Sequence, residues 1–411
     1  MRTAIADRTA GAFLLLGILL AGCSNDGDDP PGTERITRGD TLIVRTTGPG
    51  VWQSATLVEE LRIGALDGED HEMFGTVSDL VPDGIGGVYV FDGRAPALRH
   101  YDADGNYTGT FGSQGAGPGE YRDAVLGLAV LRDGRVLMRD PRNSRINVYS
   151  STGESLDSWP VASGLFTSNS MVVDTAGEIW LKILLVARPE PNQPWPVALM
   201  HYSRTGEVLD TLVPPTLPRE PTNAGGVFVG SKEWEMSPLG HLVIGVNDRY
   251  TFELREQDGS IVRIERDHQP VRVHPEEQSQ WEARNEHMRR TQCQFLTAEI
   301  PPVPDTKPAF RGFDIGLDGR IWVRPYVASE PFEPSPPAPR PDGSDPPPPL
   351  TWREPVMYDI FEPDGTYLGR VHLPQRTSLR AHNGSEVWAT LRGEFDEYYV
   401  VRFRLDTTIE P

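Results

Sequence analysis

Cysteine is nearly absent from this chain: Cys23 and Cys293 are the only two among 411 residues. That scarcity excludes a disulfide framework and a cysteine-built metal site, so stability has to come from packing. Basic residues are also short, 39 Lys and Arg against 59 Asp and Glu, and the formal charge of −20 disfavours a nucleic-acid partner, whose phosphates a protein must neutralise. Familiar catalytic signatures are missing too. There is no His-Glu-x-x-His, no Gly-x-Ser-x-Gly elbow and no phosphate-binding loop. The nine His are scattered without metal-ligand spacing, so the sequence calls for no metal and no other cofactor, and it singles out no catalytic residue. The apolar run Ala10 to Leu20 is too short to span a bilayer stably, which takes about 20 residues.

What is present begins with that run. Arg2 and Arg8 precede it and Leu20-Ala21-Gly22-Cys23 closes it, the order of a targeting segment. The closing four residues resemble the lipobox of bacterial lipoproteins. The resemblance implies cleavage before Cys23, acylation of Cys23, and a mature protein held by its lipid on the bacterial cell envelope, facing the periplasm or the exterior. The membrane would then be one partner, reached through the anchor, and Cys293 would stand alone. Residues 1–22 are expected to be the signal peptide. Residues 23–40 are expected to be a flexible tether, because SNDGDDPPGTER (24–35) is acidic, contains Gly and Pro and has almost no apolar side chains.

Beyond the tether the chain is turn-rich, with 41 Gly and 38 Pro. Short apolar segments alternate with tight-turn dipeptides such as Asp83-Gly84, Asp104-Gly105, Asp133-Gly134, Asp258-Gly259, Asp318-Gly319 and Asp364-Gly365. Asp-Gly between apolar segments is a strong hairpin signal, because Gly takes the positive φ that such turns require. The turns divide 78–406 into six units: 78–112, 126–161, 170–213, 233–266, 312–373 and 378–406. Gly-to-Gly separation within a unit is 21 residues for Gly84 to Gly105 and 19 for Gly134 to Gly153, but 29 for Gly177 to Gly206 and 46 for Gly319 to Gly365. The excess corresponds to insertions at 187–196 and 329–355. Both fall between the second and third strands of a unit and are expected on one rim of the molecule. The second holds PFEPSPPAPRPDGSDPPPP, which favours polyproline II and cannot join a ladder. A third insertion, 274–300, holds one predicted helix over 275–290: Pro275 opens it, Glu276 and Glu277 suit its start, Arg289 and Arg290 its end. Large or apolar residues recur near the same place in every unit (Tyr89, Leu137, Trp180, Val243, Trp322, Trp388), a pattern that points to packing between neighbouring sheets.

A unit of this kind cannot bury both faces alone. Six four-stranded antiparallel units predict an all-β, six-bladed β-propeller over 41–411. The sixth unit ends after its third strand, and 57–63 (LVEELRI) is free to supply the fourth, so the two ends of the chain would share one blade. The stretches VYVFDGRAPALRHYDADGNYTGTFGSQGAGPGEY and RVLMRDPRNSRINVYSSTG resemble NHL-type repeats and the TolB-like propeller lipoproteins of bacteria. That resemblance implies a fold and extracytoplasmic display; it fixes no reaction.

Two constellations follow the second strands. Asp92, Asp140, Asn143, Asn247 and Asp248 are of ligand type for a metal at a propeller axis, or are turn caps. Arg94, Arg142, Arg188, Arg249, Arg324 and Arg392 recur once per unit, either as a ring suited to an anion or as partners of local carboxylates. The expected function is a lipid-anchored binding or scaffold module for a protein or a small anionic ligand. The alternative is a lyase or lactonase-like hydrolase at the axial mouth. Three or more Asp, Asn, Glu or His side chains on the axis would favour the enzyme; arginine and apolar groups would favour binding.

Overall fold

The computed structural model describes residues 29–122, 127–161, 171–185, 196–221, 225–292, 300–334 and 345–409. Alternation of apolar and polar residues between tight turns yields six units of four antiparallel strands, the first five pairing their strands in chain order. The glycines of the predicted turns do take positive φ, for example 83° at Gly84 and 84° at Gly134. The first strands run Val77–Pro82, Leu128–Val130, Met171–Val173, Lys232–Met236, Phe310–Ile315 and Thr377–Asn383. All six line one central cavity, so the units are blades of a closed six-bladed propeller.

Closure is enforced by apolar contacts at every blade boundary. Val77 and Val90 of blade one pack with Trp388 and Val400 of blade six. Phe91 of blade one packs with Met138 of blade two, Leu137 of blade two with Ile179 of blade three, and Trp180 of blade three with Ile244 of blade four. Val243 and Phe252 of blade four meet Phe313 of blade five, and Trp322 of blade five meets Val401 of blade six. The recurrent residues are therefore inter-blade core, each large side chain contributing roughly 1.5–3 kcal/mol by burial.

Three strands before the repeats bind the ring from outside. The strands β1 (Thr33–Arg38) and β2 (Thr41–Thr46) form a hairpin, and β2 adds parallel to the outer strand of blade four, Ile261–Arg266, making that sheet six-stranded. The tether is accordingly shorter than expected, since 33–38 are a strand. TERITR looks like linker because its side chains stay largely in solvent, and its order comes from backbone pairing with β2. Residues 50–52 then cross the outer strand of blade five, where Trp52 packs over Gly369. The next strand, β3 (Trp52–Ile63), pairs antiparallel with Tyr398–Ile409 and completes blade six. It starts five residues before the predicted 57–63.

Alternation of direction along each blade divides its connections between two faces. Hairpin turns lie on one face. Second-to-third-strand loops and blade-to-blade connections lie on the other, the loop face. The helix α1 (Pro275–Gln292) belongs to the loop face, between blades four and five, with Trp281 edge-on to Phe228. The stem of the proline-rich insertion pairs as a short ribbon, Glu330–Pro331 against Trp352–Arg353, although the run itself, 335–344, lies outside the described residues. Helix and stem are joined by Gln280, whose amide accepts from the Thr351 N–H at 2.8 Å and donates to its hydroxyl at 2.7 Å. Among the described residues no helix is long and apolar enough to cross a membrane.

Candidate functional site: the axial cavity and an arginine cleft

The carboxylates and amides that follow the second strands are turn caps. Asp92 is buried and accepts the backbone N–H groups of Gly75, Thr76, Arg94 and Ala95. Asp140 holds Asn143 through its side-chain amide at 2.6 Å. Asn247 accepts the Ser231 N–H and donates to the Phe310 carbonyl, tying blade four to blade five. Asp248 pairs with Arg219. Each is occupied in joining a loop to its neighbour, which is why such residues recur at these positions.

Among the described residues, the recurring arginines do not share one cavity. Arg94 is exposed and its stem lies over Gly75. Arg142 is exposed on the short turn Pro141–Asn143. Arg249 lines a separate groove with Arg219 and Asp248, and Arg324 is half-buried, acting on Asp314 and Tyr358. Arg188 and Cys23 lie outside the described residues. Among the described members of the set, Arg392 alone opens onto the cleft described below.

The axial cavity, about 250 Å³, is walled by apolar side chains of the first strands together with Asp79, Glu235, Asp314, Arg380 and His382. Three carboxyls and a histidine thus meet the stated criterion for an enzyme, yet each is engaged. Asp79 accepts the N–H of Leu80 at 2.9 Å and, across the blade boundary, that of Leu128 at 2.8 Å. Glu235 takes the Lys182 ammonium at 2.5 Å. Asp314 shares a hydrogen bond with the Tyr358 hydroxyl, and His382 Nε2 lies 3.3 Å from the Asp314 carbonyl. Burial pushes the Asp79 carboxyl up to about 6, against the pull of its two N–H donors and of Arg380. Asp314 is likewise raised to about 6 by burial and by the charge of Glu235.

A carboxyl raised on folding holds its proton more tightly in the native state. Its stabilising contribution is complete below the unfolded value near 4 and is lost as pH climbs through about 6. His382 and His241, both lowered to about 4 by burial, act with the opposite sign, so a variant must isolate the carboxyl. Relative to Asp79→Asn, the wild-type protein should lose up to about 3 kcal/mol of stability between pH 4 and pH 7. Urea unfolding of both proteins at the two pH values checks this, and a constant difference would refute it.

Elsewhere, Asp174, Glu178 and His201 bring ligand-type atoms within 4.8 Å of one another. Asp174 accepts the N–H groups of Ala176 and Glu178 and the Trp180 indole N–H, while His201 stacks on Trp180 at 3.7 Å. Blade one repeats the device with Asp83, His100 and Tyr89. The cluster is a turn lock that recurs with the fold.

The open site is a cleft of about 550 Å³ on the loop face, between the insertion stem of blade five and the loops of blade six. Arg353, Arg376, Arg380 and Arg392 line it, against two carboxylates, Glu333 and Asp396. Arg376 pairs with Asp396 at 2.5 Å, and Arg353 lies 3.7 Å from Glu330. Arg392 donates to the Tyr398 hydroxyl, and Arg380 to the Thr390 hydroxyl at 3.3 Å and the Val77 carbonyl at 3.2 Å. Arg380 also lines the axial cavity, so one side chain borders both spaces. Per-unit recurrence could identify only Arg392. The others lie at non-equivalent positions; Arg376 and Arg380 have one sequence signal, the local richness of LPQRTSLR with two arginines within 373–380, which does not extend to Arg353.

No family profile matches the chain and no curated protein matches its sequence. Solved structures match in fold. A DUF4221-family member from Bacteroides vulgatus superposes with a TM-score of 0.53 at 13% identity, covering 86% of this chain and 99% of that one. A protein described as exported, from Bacteroides fragilis, gives 0.48 at 9% identity over 89% and 99%. Virginiamycin B lyase from Staphylococcus aureus gives 0.40 at 11% identity over 91% and 98%. At such identity the first likeness speaks for the fold alone, and the other two carry no argument.

Proposed function

We propose that this chain is a lipid-anchored, extracytoplasmic propeller that binds a small anionic ligand in the loop-face cleft. The observation that carries the reading is the excess of four arginines over two carboxylates around one ligand-sized cleft of a strongly acidic protein. Guanidinium groups make paired, charge-assisted hydrogen bonds to carboxylate or phosphate; Arg380 has hydroxyl and carbonyl partners, and Arg392 has the Tyr398 hydroxyl and the Asp396 carboxylate at 3.8 Å, contacts that leave N–H donors to spare on both. The anchor rests on residues 10–23. Because Thr33 is already held in β1, nine residues lie between it and Cys23, and the ten Cα-to-Cα steps reach at most about 35 Å. The outer edge of blade four would therefore stay near the membrane surface. Metabolic labelling with palmitate, lost on Cys23→Ser, tests that part.

The binding reading is tested by calorimetric titration of the full chain with benzoate, succinate and inorganic phosphate at low ionic strength. At least one should bind, and Arg380→Ala or Arg392→Ala should weaken it about tenfold or more. No binding by any of the three, or affinity unchanged in both variants, refutes the reading. The second reading, a hydrolase or lyase at the axis, is favoured by the two carboxyls that titrate near 6, inside the range useful for proton transfer. Chemical change of a bound anion during incubation would support it.

A further inference from the structure

The cleft has a second property that charge alone does not use. Its apolar wall is chiefly aromatic: Phe332 and Tyr398, with Val356 between blades five and six. Phe332 is held by the insertion stem, its N–H donating to the Thr351 carbonyl at 2.8 Å. Arg353 lies over the Phe332 ring with its guanidinium carbon 5.0 Å from the centroid, and Arg392 over the Tyr398 ring at 4.6 Å. A cation placed over a ring face is attracted by the ring quadrupole. Two cations are thus set beside two rings, on opposite walls of one cleft.

Resting on the anion-binding reading, we infer that the ligand class is a planar aromatic carboxylate, its acid group on Arg380 and Arg392 and its ring against Phe332 or Tyr398. Inorganic phosphate would use the arginines and leave both rings and Val356 in water. An aliphatic dicarboxylate would do the same. A saturated ring acid would cover the apolar wall but lacks the π face that offset or edge-on ring contacts require.

The experiment compares benzoate with cyclohexanecarboxylate, succinate and phosphate by calorimetry on the full chain. Cyclohexanecarboxylate is the more apolar ring, so burial alone would make it the tighter ligand. Benzoate is expected to bind it out by roughly 3- to 10-fold, and succinate and phosphate by more. Phe332→Leu, which keeps bulk and removes the ring, should erase the preference for benzoate over cyclohexanecarboxylate while leaving succinate affinity unchanged. Cyclohexanecarboxylate, succinate or phosphate binding as well as benzoate overturns this inference and leaves the anion reading standing. Failure of all four to bind overturns both. If Phe332→Leu lowers succinate affinity too, the ring acts only by shaping the wall and the inference falls.

Discussion

Deletion of β3, residues 52–63, abolishes the cooperative unfolding transition of the whole propeller. The strand makes ten register pairs with Tyr398–Ile409, so its loss exposes a long unpaired edge on blade six. It also strips Ile63 from the core that joins blade six to blade one, and the packing of Ala55 and Leu57 from the core that joins blade five to blade six. Both boundaries of one blade are damaged together, and in a ring the loss of one blade opens two interfaces at once. A linear repeat array would lose only its end unit. Thermal melting followed by far-ultraviolet circular dichroism should show a broad, non-cooperative loss of signal for the deletion. A peptide spanning 52–63, added in trans, should restore the transition. A deletion variant that melts like the full chain would show that the ring does not depend on this closure.

Replacement of Lys307 by Met should destabilise the protein by about 3–5 kcal/mol, the usual consequence of removing one partner from a buried charge network. The Lys307 side chain is fully buried, with its ammonium 2.7 Å from Glu354, 3.2 Å from Glu277 of α1 and 2.7 Å from the Ser329 hydroxyl. Three segments distant in sequence therefore meet on one cation: the helix, the insertion stem and the run into blade five. Arg311 still neutralises Glu354 at 2.6 Å after the substitution, but Glu277 keeps only the Ser329 hydroxyl. Its charge is then left buried and nearly unpaired, which is the costly outcome. The double variant Lys307→Met with Glu277→Gln should recover at least half of the loss, because it removes the stranded charge. Urea midpoints at constant slope measure both. A single-variant loss below about 1 kcal/mol would mean that water or relaxation satisfies Glu277 and that the hub does not bind helix to ring.

What was legible in advance was legible for a local reason. Asp83-Gly84, Asp133-Gly134 and Asp318-Gly319 signal their hairpins within four residues, since positive φ and a side chain that accepts the following N–H groups are properties of the turn itself. The helix was readable from Pro275, its early glutamates and its late arginines, and runs two residues past the predicted end. The β1–β2 hairpin was not readable as part of blade four, because Thr33–Arg38 has few apolar residues and the blade strand that β2 joins, Ile261–Arg266, is more than 200 residues away. Asp92 and Asn247 carried a chemistry of metal-ligand type in the sequence. Only their hydrogen-bond partners, up to 63 residues distant along the chain, identify them as caps.

By itself the sequence determined the number of repeats, the places where strands reverse and the shortage of strands in the last unit, since these depend on contacts within some twenty residues. The tertiary structure alone decided that Arg353, Arg376, Arg380 and Arg392 face one cleft while Arg94, Arg142 and Arg249 do not. Repetition places equivalent residues at equivalent positions around a ring. A ligand site arises where that equivalence is broken, by an insertion stem on one blade and a differently shaped loop on the next, and such breaks become neighbours only when the ring closes.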